Sequence, residues 1–151
     1  MNTTYPSRIQ QYQRQIEQIS QDAALLEQSR GGNFSIVLDG KRYTERPEAG
    51  EALALLYRRI SEGRKKDDYD FEIGTYRGFR LYLSFDPFSA GLVLRGSSRY
   101  NTDIGSSGQG AITRIENLAE RIPSYLTYAQ RDLEEVQKQL EAARQQMGQP
   151  F

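Results

Sequence analysis

The sequence predicts an α+β fold: an antiparallel sheet of five to six strands packed with helices, plus an antiparallel coiled-coil arm formed by the N- and C-terminal helices. Two observations predict the arm, because apolar residues recur in alternating steps of three and four from Tyr5 to Leu26 and again from Ile112 to Met147. A third predicts the sheet: short alternating apolar segments separated by turn residues fill the part between these two seams. Two seams that each need a partner are expected to cover each other.

The first seam predicts a helix over residues 5–30, which forms one half of the arm. Pro6 suits the first turn of this helix, and Gly31-Gly32 follows where glycine commonly ends one. The apolar positions of the seam are Tyr5, Ile9, Tyr12, Ile16, Ile19, Ala23 and Leu26.

A hairpin and a helix are predicted next, at the start of an α+β body over residues 31–111. Two alternating segments flank Asp39-Gly40, and such a two-residue loop is a strong signal for a type I′ turn, which needs positive φ at both positions. Pro47 then begins a helix that is expected to reach Glu62 and to end at Gly63.

Three or four further antiparallel strands complete the predicted body. The apolar residues of segments 71–75 and 79–85 share one face if a three-residue loop, Tyr76-Arg77-Gly78, joins them with Gly78 in a G1 bulge, so we predict that loop. Residues 92–95 are expected to form the next strand, and residues 98–104 a last, more polar one.

The second seam predicts a C-terminal helix over residues 112–147 that is kinked near Pro123, because proline inside a helix removes a backbone hydrogen bond. Residues 112–122 are expected to cover the sheet, and the distal part to pair with residues 5–30. The seam consists of Ile112, Ile115, Ala119, Ile122, Leu126, Ala129, Leu133, Val136, Leu140, Ala143 and Met147.

Two local patterns accompany the start of this helix. Thr113 and Glu116 have the spacing of a capping box. The glycine-rich residues 105–110 are interpreted as a flexible joint, with phosphate binding at the helix N-terminus as the less favoured alternative.

Composition excludes several kinds of active site. The chain has neither cysteine nor histidine, so thiol nucleophiles, imidazole bases, disulfides and Cys or His metal sites are excluded. Lys plus Arg equals Asp plus Glu at 20 each, so no overall charge attracts the chain to nucleic acid or to a membrane. The carboxylates have no spacing that metal binding or acid–base catalysis requires, and we expect no catalytic residue, cofactor or metal.

Localisation follows from what the sequence does not contain. No apolar run approaches the length of a membrane span, and no signal-peptide pattern follows Met1. We therefore expect a cytoplasmic protein with no membrane contact.

Basic residues recur around the predicted sheet, with tyrosines between them. Such side chains suit contact with the backbone and bases of nucleic acid. The alternative is a solvated sheet face with arginine stems packed on tyrosine rings, because almost as many acidic residues lie in the same region. The candidate nucleic-acid-binding residues are Lys41, Arg42, Arg77, Arg80, Arg95, Arg99 and Arg114.

An ordered series of phrases resembles a known family across residues 5–151. The phrases are Phe34-Ser-Ile-Val-Leu-Asp-Gly-Lys-Arg-Tyr-Thr-Glu-Arg46 with Ala49-Gly50, Ile73-Gly-Thr-Tyr-Arg-Gly-Phe79, Ser84-Phe-Asp86, Leu94-Arg-Gly96, Thr113-Arg-Ile-Glu-Asn117 and the closing Gln149-Pro-Phe151. The series is similar to the C-terminal region of large helicase/DNA-methyltransferase proteins of plasmids, phages and conjugative elements. Those proteins join an adenine-specific methyltransferase-like part to a Swi/Snf-type helicase motor.

The resemblance implies an accessory, non-catalytic domain that assists DNA binding. The motor's nucleotide-binding motifs and the methyltransferase's catalytic motif are absent from this sequence, so the resemblance transfers no catalytic residue. The implied partners are DNA and the rest of a helicase/methyltransferase polypeptide or complex. The alternative is a protein-interaction module whose arm docks a partner or forms a homodimer.

Overall fold

The computed structural model describes the backbone of residues 4–148 and the side chains of residues 6–148, and within that part the predicted α+β class is confirmed. The side chain of Tyr5 in the first seam and the closing Gln149-Pro-Phe151 phrase lie outside this description. The elements are α1 Thr4–Gln28, β1 Ile36–Leu38, β2 Lys41–Tyr43, α2 Arg46–Gly63, β3 Asp70–Tyr76, β4 Phe79–Phe85, β5 Ala90–Arg95, β6 Arg99–Asp103, α3 Gly108–Glu120 and α4 Ile122–Gly148.

The six strands form one antiparallel sheet in the order β2-β1-β3-β4-β5-β6. The predicted first hairpin is confirmed, since Leu38 pairs with Lys41 across a two-residue turn. Asp39 and Gly40 have φ values of 51° and 82°, the positive values that a type I′ turn requires.

The predicted three-residue loop between β3 and β4 is wrong. Tyr76 pairs directly with Phe79, so the loop has two residues, Arg77 and Gly78, with φ values of 50° and 87°. This is a second tight turn with positive φ at both positions, and it contains no bulge.

The bulge instead lies inside β3. The register shifts between Glu72 and Gly74, where Ile73 is the additional residue. Phe71 consequently lies opposite Leu83, on the side of the sheet that faces the helices. A bulge in the strand thus brings the apolar residues to one face, as the bulge predicted in the turn was expected to do.

Helices α2 and α3 cover one face of the sheet, which we call the core face. The two helices approach each other closely at Gly50 and Gly108, where a Cβ atom on either residue would clash with the backbone of the other helix. Gly108 is therefore a packing residue at the start of α3. The core face is formed by Ile36, Leu38, Phe79, Leu81, Leu83, Phe85, Leu92, Leu94 and Tyr100, all buried.

The C-terminal helical region is divided at Arg121, which ends α3 and precedes α4. Pro123 lies in the first turn of α4, where the missing N–H removes no helical hydrogen bond. The residues of α3 at the seam positions are fully buried against the sheet.

Helix α3 begins earlier than residue 112, and this changes how its N-terminus is capped. The N-cap is Ser107, whose Oγ accepts the backbone N–H of Gly110 at 3.0 Å. The capping box predicted at Thr113 and Glu116 is wrong, because both residues lie inside the helix.

Helices α1 and α4 pack against each other along their apolar stripes. Leu26 and Pro123 line one cavity and Gln15 and Asp132 another, so residue number falls along α1 as it rises along α4 and the helices are antiparallel. No helix within residues 4–148 has both the length and the apolar character to cross a membrane.

Candidate functional site

The face of the sheet opposite the helices, which we call the open face, carries four arginines in one line across the strands. Residues paired in register point to the same face, and adjacent strands lie about 4.8 Å apart, so the line spans about 24 Å. From β2 to β6 it runs through Arg42, Val37, Thr75, Arg80, Arg95 and Arg99, each directly opposite the next. We call the four arginines the arginine row.

Three members of the row, Arg80, Arg95 and Arg99, lie on consecutive strands with no other residue between them. Like charges directly opposite each other destabilise a sheet, and each of these side chains is exposed. Among the described residues Arg95 makes no ion pair, while Arg80 Nε lies 3.9 Å from a Glu72 carboxylate oxygen. The row therefore retains uncompensated positive charge.

Arg99 is the best compensated member of the row. Its Nη1 donates to Asp70 Oδ2 at 3.0 Å, and Ser84 Oγ donates to Asp70 Oδ1 at 2.7 Å. The hydrogen bond from Arg99, followed by that from Ser84, lowers the pKa of the Asp70 carboxyl. Asp70 thus remains ionised, and it draws the Arg99 side chain along the face toward β3.

Charge changes sign along the strands of the open face. The cross-strand line near the other end of the strands contains no basic residue, and it runs through Asp70, Ser84, Gly91 and Asp103. Between the two lines lie Tyr82, which is half-buried, and Val93, which is buried. The face is therefore basic along one margin and acidic along the other, in agreement with the zero net charge of the whole chain.

The turn that joins β5 to β6, and so separates Arg95 from Arg99, is fixed by Asp22 of α1. This carboxylate is only 2 % exposed. Its Oδ1 accepts the N–H of Ser97 at 2.6 Å, and its Oδ2 accepts the N–H of Ser98 at 2.9 Å and the hydroxyl of Tyr100 at 2.7 Å. Three donors satisfy the buried charge and hold the turn against the helix.

Asp22 was not among the residues that the sequence analysis selected, because an acidic residue in a helix is usually exposed. A signal was present: Asp22 is three residues after Ile19 and four before Leu26, so it shares the buried stripe. Gly96 completes the contact, since a Cβ atom there would clash with the Asp22 carboxylate. Burial, followed by the bond to Asp22, raises the pKa of the Tyr100 hydroxyl well above its usual range.

Arg77, one of the predicted binding residues, does not lie on the open face. Its guanidinium donates to Ser29 Oγ at 2.6 Å, to Glu120 Oε1 at 2.7 Å and to the carbonyl of Leu26 at 2.8 Å. The side chain is 16 % exposed. Arg77 thus binds the C-terminal end of α1 and the end of α3 to the β3–β4 turn, so its role is structural.

The structure also separates Lys41 and Arg114 from the row. Lys41 pairs with Leu38, whose side chain faces the core, and its ammonium lies 5.2 Å from the ring centre of Tyr43. Arg114 lies on α3 and donates to Asp103 Oδ1 at 2.9 Å. Of the seven predicted residues, the four on the open face form one continuous site.

A cleft of about 650 Å³ lies at the Arg42 end of the row. Arg42, Val37 and Thr75 belong both to the line across the sheet and to the wall of the cleft. The segment that connects α1 to β1 forms the opposite wall. The cleft therefore adjoins the row at its Arg42 end.

Comparisons of the chain with protein-family models, with curated proteins and with solved structures give no match. Within residues 4–148 no three or more acidic side chains are grouped closely enough to hold a metal ion. The site is thus defined by its arginines and by the cleft that adjoins them.

Proposed function

We propose that this chain is a non-catalytic accessory domain of a DNA helicase/methyltransferase-type protein of mobile genetic elements, acting in the cytoplasm, and that it assists DNA binding through the arginine row. The family resemblance of the sequence supports the assignment to a helicase/methyltransferase-type protein. The rest of that protein would be the partner of this chain, in one polypeptide or in a complex. The arginine row supports DNA as the ligand.

The observation that carries the proposal is the direct opposition of Arg80, Arg95 and Arg99. Repulsion between the opposed side chains of Arg80 and Arg95 opposes folding, and an anion with regularly spaced charges relieves it. The phosphate backbone of DNA is such an anion, and arginine donates to phosphate through two N–H groups at once. Thr75 adds a hydroxyl to the same line.

A salt titration tests this proposal. Fluorescence anisotropy would measure the affinity of the chain for a labelled DNA duplex and for a single strand at several salt concentrations. We expect binding that weakens as salt rises, because each phosphate contact releases condensed counterions.

The double variant Arg80→Ala/Arg95→Ala is the matched test of the row. It should reduce the slope of log affinity against log salt by about 2 for a duplex, because it removes two phosphate contacts. Arg58→Ala/Arg144→Ala is the control, since it changes net charge equally at exposed positions on α2 and α4. Equal slopes for both double variants, or no binding at low salt, would contradict the proposal.

The second candidate function is a protein-interaction or dimerisation module that acts through an antiparallel coiled coil of α1 and α4. The alternation of three- and four-residue steps supports this geometry, and Ile19, Ala129 and Val136 are buried at seam positions. The predicted seam is covered only in part, because its last residue, Met147, is exposed. A partner would therefore contact this end and the outer surface of the arm.

The exposed side chains of Tyr128 and Met147 on α4 favour this candidate. Its test is the mass of the protein measured by light scattering across a range of concentrations. A mass that rises with concentration and falls back in Tyr128→Ser/Met147→Ser, with no DNA binding at low salt, would favour the arm over the row.

A further inference from the structure

The cleft beside Arg42 contains a guanidinium group stacked on an aromatic ring, and neither of these groups belongs to the arginine row. The guanidinium carbon of Arg46 lies 4.8 Å from the ring centre of Phe34. The ring centres of Phe34 and Tyr76 are 6.5 Å apart, and the two rings are tilted by 41° relative to each other. All three residues line the cleft. Tyr76 is buried, so Arg46 and Phe34 are the members of this group that a ligand in the cleft can contact.

The plane of Arg46 is fixed by its partner. Its Nε and Nη2 donate to the two oxygens of Glu116 at 2.8 Å and 3.0 Å, which is a two-bond pair in the plane of the guanidinium. The side chain of Arg46 is nevertheless 58 % exposed. One face of the guanidinium therefore lies on Phe34, and the edge is held by Glu116, so the other face is accessible.

We propose that the cleft receives one unpaired base of a DNA single strand, stacked on Arg46, while the phosphates of the strand lie along the arginine row. This inference rests on the proposed function and specifies its ligand. Stacking on an arginine plane is a common way to bind bases that are not paired. A cleft of about 650 Å³ is large enough for one nucleotide.

The position of the cleft favours a single strand over a duplex. Val37 and Thr75 of the line also line the cleft, so the cleft meets the row at the ends of β1 and β3. Tyr76 and Arg46 lie on the helix side of the sheet, so a strand that follows the row must bend around these strand ends to reach Arg46, which a flexible single strand can do. A base in a duplex is paired and stacked on its neighbours, and its entry into the cleft would require both interactions to break. Both a duplex and a single strand can contact the row, but only the single strand can also stack a base on Arg46.

The charge-preserving variant Arg46→Lys tests the stack. Lysine keeps the positive charge but loses the plane, so we expect about a tenfold loss of affinity for a single strand, since one stacked base contributes about 1–3 kcal/mol. Affinity for a duplex of equal length should stay within about twofold of the unmodified chain, because the row is intact. Arg58→Lys on α2 is the control and should change neither affinity.

A fluorescent reporter tests the location of the base. The chain has no tryptophan, so Phe34→Trp places a single reporter in the cleft. Phe88→Trp places one, as a control, at an exposed position in the β4–β5 turn, at the opposite end of the strands from the row. We expect a single strand to quench the reporter at Phe34 over the same concentrations at which anisotropy records binding. A duplex should leave it unquenched, and neither DNA should quench the control.

The outcomes distinguish this inference from the proposed function. Binding that depends on the arginine row but neither quenches the cleft reporter nor responds to Arg46→Lys would overturn the inference and leave the row as the DNA site. An absence of binding to both DNA forms at low salt would overturn both proposals. Circular dichroism of each variant would show that its fold is retained.

Discussion

Two regions of the sheet handle arginine and carboxylate charge in opposite ways. At the clamped side, defined here as the contacts of α1 with the turns at residues 77–78 and 96–98, Asp22 and Arg77 are largely shielded from water and each makes three hydrogen bonds. On the open face, Arg80 and Arg95 are exposed and lie opposite each other.

The difference shows why residue type alone did not separate structural from binding residues. A buried charge must be fully partnered in order to be tolerated, and once it is partnered its removal is costly. An exposed charge that faces a like charge has no such role in folding. Arg77 therefore contributes to stability, whereas the fold does not depend on Arg95.

The largest effect is expected at the clamped side, on replacing Asp22. Asp22→Ala removes the acceptor for two N–H groups and one hydroxyl, and we expect the free energy of unfolding to fall by about 3–5 kcal/mol. Urea unfolding followed by circular dichroism measures this change. Tyr100→Phe removes one of the three donors and should cost about 1 kcal/mol. Equal effects of the two variants would show that Asp22 does not act as a shared acceptor.

The second prediction compares the replacement of arginine by alanine at the clamped side and on the open face. Arg77→Ala should lower the free energy of unfolding by about 2–3 kcal/mol, because it removes three hydrogen bonds at a site that is mostly buried. Arg95→Ala should change it by less than about 0.5 kcal/mol, with a gain at low salt as repulsion in the row is relieved. Both values come from the same urea titration. A larger loss from Arg95→Ala than from Arg77→Ala would reverse the comparison.

The third effect concerns alkaline pH, at Tyr100. The folded chain raises the pKa of this hydroxyl, whereas in the unfolded chain it loses its proton near pH 10, so the stabilising contribution is complete below about pH 10 and is lost as the pH rises. One such tyrosine makes the free energy of unfolding fall by up to about 1.4 kcal/mol per pH unit.

Urea titrations from about pH 9 to pH 11 would measure this slope. Burial, followed by the charge of Glu116, also raises the pKa of Tyr76, which contributes in the same direction. In Tyr100→Phe, the free energy of unfolding should fall less steeply with pH, and the remaining slope should be the contribution of Tyr76. An unchanged slope in that variant would show that Tyr100 ionises equally in both states.

Local patterns in the sequence predicted the elements well. Asp39-Gly40 specified the first turn, because two consecutive positive φ values need such residues. The seam residues of α3 and the site of the break near Pro123 also followed from periodicity and from the missing N–H of proline. Each of these signals acts within a few residues of the chain.

The predictions failed where the local sequence allowed two conformations or roles and contacts with residues far away in the sequence decided between them. Apolar periodicity required a bulge in the β3–β4 hairpin but not its place, and the structure has it at Ile73, within the strand. Asp22 was missed because its three donors come from a turn and the start of β6, more than seventy residues later. Nothing near Asp22 in the sequence indicates that turn.

By itself, the sequence determined the α+β class, most of the helices and strands, and the set of basic residues from which the site is drawn. Only the tertiary structure decided which of those residues act together. Strand register depends on how the whole core packs, so Arg42, Arg80, Arg95 and Arg99 are aligned by contacts on the other face of the sheet. The same packing directs Arg77 inward, to the end of α1, and leaves the arginine row facing water.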